Sequence, residues 1–100
     1  MEKLQQEIND FVRKRDWKGY HTPKNLAMAL SVETSELVEI FQWLTPEESS
    51  ELTGEALTHL EEEIGDIMIY LTTLAATYNL DPLTAARKKM VKNAIKYPAD

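Results

Sequence analysis

Apolar residues recur every three or four positions along almost the whole chain, and nowhere do they alternate. That period suits helices and leaves no strand pattern, so the expected fold class is all-α. Prolines and glycines cut the pattern into pieces. Residues 2–15 carry Leu4, Ile8, Phe11 and Val12 at helical spacing. Gly19 and Pro23 interrupt the connector DWKGYHTPKN, which cannot be one continuous helix. Helical spacing resumes from about Lys24 to Leu44. Thr45-Pro46-Glu47-Glu48 is a helix start, with a threonine cap, proline at the first position and acids near the positive end of the dipole. That short piece is expected to end near Gly54. A long helix follows over about Glu55 to Tyr78, closed by Asn79, and Asp81-Pro82 opens a last helix that reaches about Lys96 before Tyr97-Pro98. The expected architecture is a helical bundle of four main helices plus a short extra helix, with connections short enough for antiparallel neighbours.

A chain of 100 residues fits one domain on a prior of roughly 100–200 residues each, so residues 1–100 read as a single unit. A core of this size is thin, and self-association would bury more surface. The net charge of −6 argues against a nucleic-acid partner, which needs a basic face. Without cysteine there is no disulfide framework, thiolate zinc site or thiol nucleophile, which fits a reducing compartment. The opening MEKLQQEINDFVRKR lacks the apolar core of a signal peptide, and no run approaches the roughly 18 apolar residues of a membrane span. A cytoplasmic protein with no membrane partner is expected.

On a helical wheel, Leu26, Leu30, Leu37, Ile40 and Leu44 form one stripe of the second helix. Glu33 falls inside that stripe and Glu36 at its edge, whereas Glu39, Thr34 and Ser35 fall mostly outside. The long third helix has a stripe of Leu57, Leu60, Ile64, Ile67, Met68, Leu71, Leu74 and Ala75, with Glu63 at one margin and Asp66 just beyond. Each acid pair has i, i+3 spacing and projects from one face. Such spacing is common on wet helix faces, as Glu48-x-x-Glu51 illustrates. Carboxylates turned inward are different, because they repel one another and are costly to bury without a cation. No lysine or arginine lies between Lys24 and Arg87 to supply one. A divalent metal is the economical answer, and an all-oxygen donor set favours Mg²⁺ or Mn²⁺ over zinc or copper.

The connector concentrates Trp17, Tyr20, His21 and Asn25 within nine residues. They either cover the end of the bundle or form a base pocket, with aromatic faces for stacking and His21 and Asn25 for hydrogen bonds. Trp43, after Phe41, is core or a second stacking wall. His59 lies off the apolar stripe and reads as a surface histidine. In the last helix Lys89, Lys92, Asn93 and Lys96 share a face, beside Arg87 and Lys88. That strip is a solvated face complementing the helix dipole or a set of phosphate contacts.

The run Glu33-x-x-Glu36 followed by Glu63-x-x-Asp66 resembles the all-α nucleoside triphosphate pyrophosphohydrolases of the MazG-like superfamily. Arg15-Asp16-Trp17, His21-x-Pro23-x-Asn25-Leu26, Phe41-Gln42-Trp43, Glu62-Glu63-Ile64-Gly65-Asp66-Ile67, Tyr70-Leu71 and Lys96-Tyr97-Pro98 look like its dCTP pyrophosphatase branch, over about residues 7–98. The resemblance implies hydrolysis of (deoxy)nucleoside triphosphates between the α and β phosphates, with Mg²⁺ held by Glu33, Glu36, Glu63 and Asp66. It implies a base among Trp17, His21 and Trp43 with Asn25 nearby. Sugar or phosphates would meet Tyr70, Lys89, Asn93, Lys96 and Tyr97. Dimers or tetramers whose sites borrow residues from a neighbouring subunit are implied too. The long terminal extensions of some relatives are not matched; if those extensions close the site elsewhere, looser substrate selectivity is implied here. One carboxylate is expected to take a proton from the attacking water, Glu36 first and Glu33 second. Three readings compete. A di-iron bundle wants Glu-x-x-His on two helices, and that tetrad is missing. A phosphoribosyl-ATP pyrophosphohydrolase is disfavoured by the Trp-His connector. A non-catalytic helical adaptor, its acidic face binding a partner, predicts neither metal dependence nor turnover.

Overall fold

A computed structural model describes residues 1–99, Lys18 through its backbone alone. The main helices are α1 (Glu2–Lys14), α2 (Pro23–Phe41), α4 (Gly54–Thr77) and α5 (Pro82–Lys96), with the single turn α3 (Pro46–Ser49) between α2 and α4. A 3₁₀ turn, Lys18–Tyr20, lies in the connector. Among the described residues there is no strand. The all-α expectation therefore stands, and so does the count of four main helices with a short extra one.

The ends of the helices follow from local chemistry. The Thr22 hydroxyl accepts from Asn25 N at 3.2 Å, ahead of Pro23. Thr45 and Glu48 form a reciprocal capping box. Asp81 caps α5 by accepting from Leu83 N at 2.9 Å. Asp16 (φ 54°) and Asn79 (φ 56°) take the left-handed conformation that ends α1 and α4. Each stop is the paired-bond motif: Trp17 N donates to Val12 O and Asp16 N to Arg13 O, as Leu80 N does to Ala75 O and Asn79 N to Ala76 O. Two boundaries differ from expectation. α2 stops at Phe41, and residues 42–44 turn instead, with Leu44 N bonded to Phe41 O. The short helix ends at Ser49, and Gly54 (φ 60°) opens α4, a backbone angle that suits a residue without Cβ.

The most extensive packing joins α2 to α4, while α1 and α5 each lie against α4. Only Ile8, Val12 and Leu26 are buried apolar residues among those described, and of these only Leu26 is fully so. The α2 stripe faces inward as expected, with Leu30, Leu37, Ile40 and Leu44 half-buried. The α4 stripe divides: Leu60, Ile67, Met68, Leu74 and Ala75 are half-buried, but one edge of it is not covered. Leu57, Ile64, Leu71 and Tyr78 recur at seven-residue spacing and are all exposed, and so are Met90, Val91 and Ile95 of α5. The chain exposes 8144 Å², against about 5,800 Å² for a compact monomer of 11.5 kDa. Its radius of gyration is 16.4 Å, where about 13 Å is usual for this length.

Thr72 of α4 is 1% exposed, and its hydroxyl has no hydrogen-bond partner among the described residues. By contrast Thr34, Thr73 and Thr77 donate to the carbonyls of Leu30, Ile69 and Thr73. Thr72→Val keeps the shape and removes the orphan, so it is expected to stabilise by about 1 kcal/mol. A thermal melt should then shift upward by roughly 4–8 °C. A lowered midpoint would show that the hydroxyl is satisfied.

Candidate metal centre

α2 and α4 meet at their acids. Glu33, Glu36 and Glu63 each offer a carboxylate oxygen, and the three oxygens lie within 4.8 Å of one another. Glu63 is 5% exposed, Glu33 and Glu36 are half-buried, and Asp66 is exposed. Asp66 stands outside the tight set, yet its charge still reaches Glu33. Helical spacing accounts for the grouping, since i, i+3 pairs share a face and the two faces here belong to packed helices.

The cluster is frustrated without a cation. Glu33 is pushed up from 4.5 to about 7, first by hydrogen bonding with the Glu63 carboxyl, then by burial, then by the charges of Glu36, Asp66 and Glu63. Glu33 Oε2 and Glu63 Oε2 are buried with no hydrogen-bond partner among the described residues. Clustered acids with orphaned oxygens and no soft donor suit a hard divalent cation. Sequence reasoning missed one neighbour. His59 is half-exposed, as a surface histidine would be, but its Nε2 lies 3.3 Å from Glu63 Oε1. The i, i+4 spacing of His59 and Glu63 was the available signal.

The remaining candidates lie elsewhere. Trp17 packs edge-on against Phe11 with ring centroids 5.5 Å apart, and the Arg15 guanidinium lies 3.5 Å from the Phe11 ring centre. Asn25 Nδ2 donates to Tyr20 O at 3.1 Å and ties the connector to α2. His21 borders a cleft of about 390 Å³ between α1 and α4, with Arg13, Thr73 and Thr77 among its walls. Its Nδ1 is buried and unpartnered among the described residues. Trp43 follows α2 and is 87% exposed. Tyr70 is half-buried one turn beyond Asp66. On α5, Lys89, Lys96 and Tyr97 are exposed and Asn93 is half-buried, with Lys96 Nζ 5.3 Å from the Tyr97 ring centre. One chain thus gathers the acids but not both stacking walls. α2 spans 19 residues, so it holds Trp43 about 28 Å from the connector that carries Trp17 and His21.

The MazG-like family model matches residues 28–100. The chain is 40% identical over 92 residues to dCTP pyrophosphatase 1 of Homo sapiens, covering 90% of this chain and 54% of that protein. The match to dCTP pyrophosphatase 1 of Bos taurus is 41% over 91 residues, covering 89% and 54%. The chain therefore spans about half the length of these relatives. Among solved structures, a pyrophosphatase from Archaeoglobus fulgidus superposes with a TM-score of 0.91 at 43% identity, over 99% of this chain and 93% of that one.

Proposed function

Because the chain belongs to the MazG-like family, we propose that it hydrolyses nucleoside triphosphates between the α and β phosphates, giving a monophosphate and pyrophosphate. The relatives' names favour dCTP, and with it other pyrimidine deoxynucleotides, as substrate. The role would be house-cleaning or nucleotide-pool control. The observation that carries the reading is the meeting of three carboxylate oxygens within 4.8 Å on two helices whose one lysine or arginine, Lys24, stands at the opening of α2, nine residues before Glu33.

Glu33, Glu36, Glu63 and Asp66 would hold Mg²⁺, or Mn²⁺ in its place. When bound, the cation neutralises phosphate charge, orients the α-phosphorus and acidifies the attacking water. Glu33, crowded by the other three acids, is the carboxylate that a cation relieves most and so is committed to it. Glu36 beside it takes the water's proton, with Glu33 the second choice. Trp17, His21, Asn25 and Trp43 recognise the base. Tyr70, Lys89, Asn93, Lys96 and Tyr97 hold sugar and phosphates, while His21 and Asn25 set the choice of base, since a wrong base leaves their polar groups unpaired.

This assignment requires more than one copy of the chain. The length of α2 supports it, since Trp43 and the connector can meet on one base only if they come from different copies. The surplus exposed area, about 2,300 Å² beyond a compact monomer, is of the size that obligate interfaces bury. The heptad-spaced stripe of α4 and the apolar side of α5 supply that surface. A dimer or tetramer is proposed.

The test is pyrophosphate release over the common NTPs and dNTPs, with and without Mg²⁺, on protein whose mass is read by light scattering. Mg²⁺-dependent release from dCTP by a dimer or tetramer is the expected result. No release from any nucleotide would overturn the reading in favour of an adaptor.

A further inference from the structure

Between Asn25 and Ala86 the only basic side chain is His59. It does not face open solvent alone. Its Nε2 lies 3.3 Å from Oε1 of Glu63, which sits one helical turn further along α4 and is the most buried of the four acids. The other oxygen, Oε2, is buried and unpartnered among the described residues. The two oxygens of one carboxylate are therefore in different surroundings, one against an imidazole and one left without a donor.

We infer that His59 is a positioning residue for the metal centre. It engages Oε1 of Glu63 from the solvent side, fixes the carboxylate's rotation and leaves Oε2 as the ligand oxygen. The inference rests on the proposal that these acids bind a divalent cation. It adds a residue outside the four acids, and it explains why a half-exposed histidine stands over a buried glutamate. A carboxylate free to rotate about its last bond would spend part of its time presenting the wrong edge. Partners of this kind behind a metal ligand typically change metal affinity 10–100-fold when removed. A surface histidine with no such task would change nothing, since its side chain is 55% exposed.

The experiment measures Mn²⁺ binding at pH 8 without nucleotide, by electron paramagnetic resonance of the free ion. Native protein, His59→Ala and His59→Gln are compared, with helix content followed by circular dichroism. His59→Ala should bind Mn²⁺ about tenfold more weakly or worse. Its helix content should be unchanged, and His59→Gln, whose amide can donate to the same oxygen, should recover most of the loss. If native protein binds Mn²⁺ and His59→Ala binds it within twofold or more tightly, the inference about His59 fails alone. If native protein does not bind Mn²⁺, the metal-site reading and this inference fail together.

Discussion

Glu63→Gln should lower Mg²⁺-dependent pyrophosphate release by about a thousandfold while making the metal-free protein more stable. The two halves have one cause. Glu63 contributes an oxygen to the cluster within 4.8 Å of Glu33 and Glu36 and is 5% exposed. An amide at this position is a poor ligand for a hard cation. Losing several kcal/mol of charge stabilisation in the transition state corresponds to roughly three orders of magnitude in rate. Without metal, the same substitution removes a buried negative charge and adds a donor that can bond Glu33. That exchange turns repulsion into a charge-assisted hydrogen bond. A gain on the order of 1 kcal/mol is expected, visible as a rise of several degrees in a thermal melt. Ordinary core damage would lower both activity and midpoint. A partner-binding acidic face would leave turnover absent from native protein and variant alike. Native-rate release by Glu63→Gln would remove the site assignment.

The acids were legible in the sequence because a helix converts spacing into direction. Glu33 falls inside the stripe of Leu26, Leu30, Leu37 and Ile40, and the structure turns that stripe toward α4. Caps were legible for a similar reason: Thr22, Thr45 and Asp81 act over two or three residues. What misled was the assumption that every apolar stripe faces its own chain. Leu57, Ile64, Leu71 and Tyr78 form as regular a stripe as any in α2, yet they are exposed. Period reports that a face seeks burial, and it does not say whether the cover is intramolecular. His59 was hidden by the same logic. Its position off the apolar stripe is compatible with solvent, and the i, i+4 spacing that puts Glu63 within its reach does not say that the two meet or that Glu63 is buried. The connector's Trp17 carries two compatible messages, an aromatic for stacking and an apolar residue that packs on Phe11 where α1 stops.

The last expected result is the loss of a pH dependence on adding metal. In the metal-free protein Glu33 is pushed up from 4.5 to about 7. Below the lower value the carboxyl is protonated in both folded and unfolded chains, so this group makes stability independent of pH. Between the two values the folded chain keeps the proton and the unfolded chain has released it. Each step upward in pH then favours unfolding, until the loss levels off above about 7. A cation must displace that proton to bind. Its affinity should therefore rise up to tenfold per pH unit across the same window, or roughly 100-fold between pH 5 and 7, and then flatten. At saturating Mn²⁺ the two slopes cancel, so this group should leave stability flat with pH where the metal-free protein loses it. The groups facing Glu33 are Glu36, Glu63 and Asp66, with His59 against Glu63 from outside. Removing the titrating group itself with Glu33→Gln should abolish the metal-free slope. Melts at pH 5, 6, 7 and 8 with and without Mn²⁺, together with calorimetric proton release in two buffers, measure each arm. Parallel pH trends in the two series, with no proton released on Mn²⁺ addition at pH 6, would mean that the cation does not bind where Glu33 holds its proton.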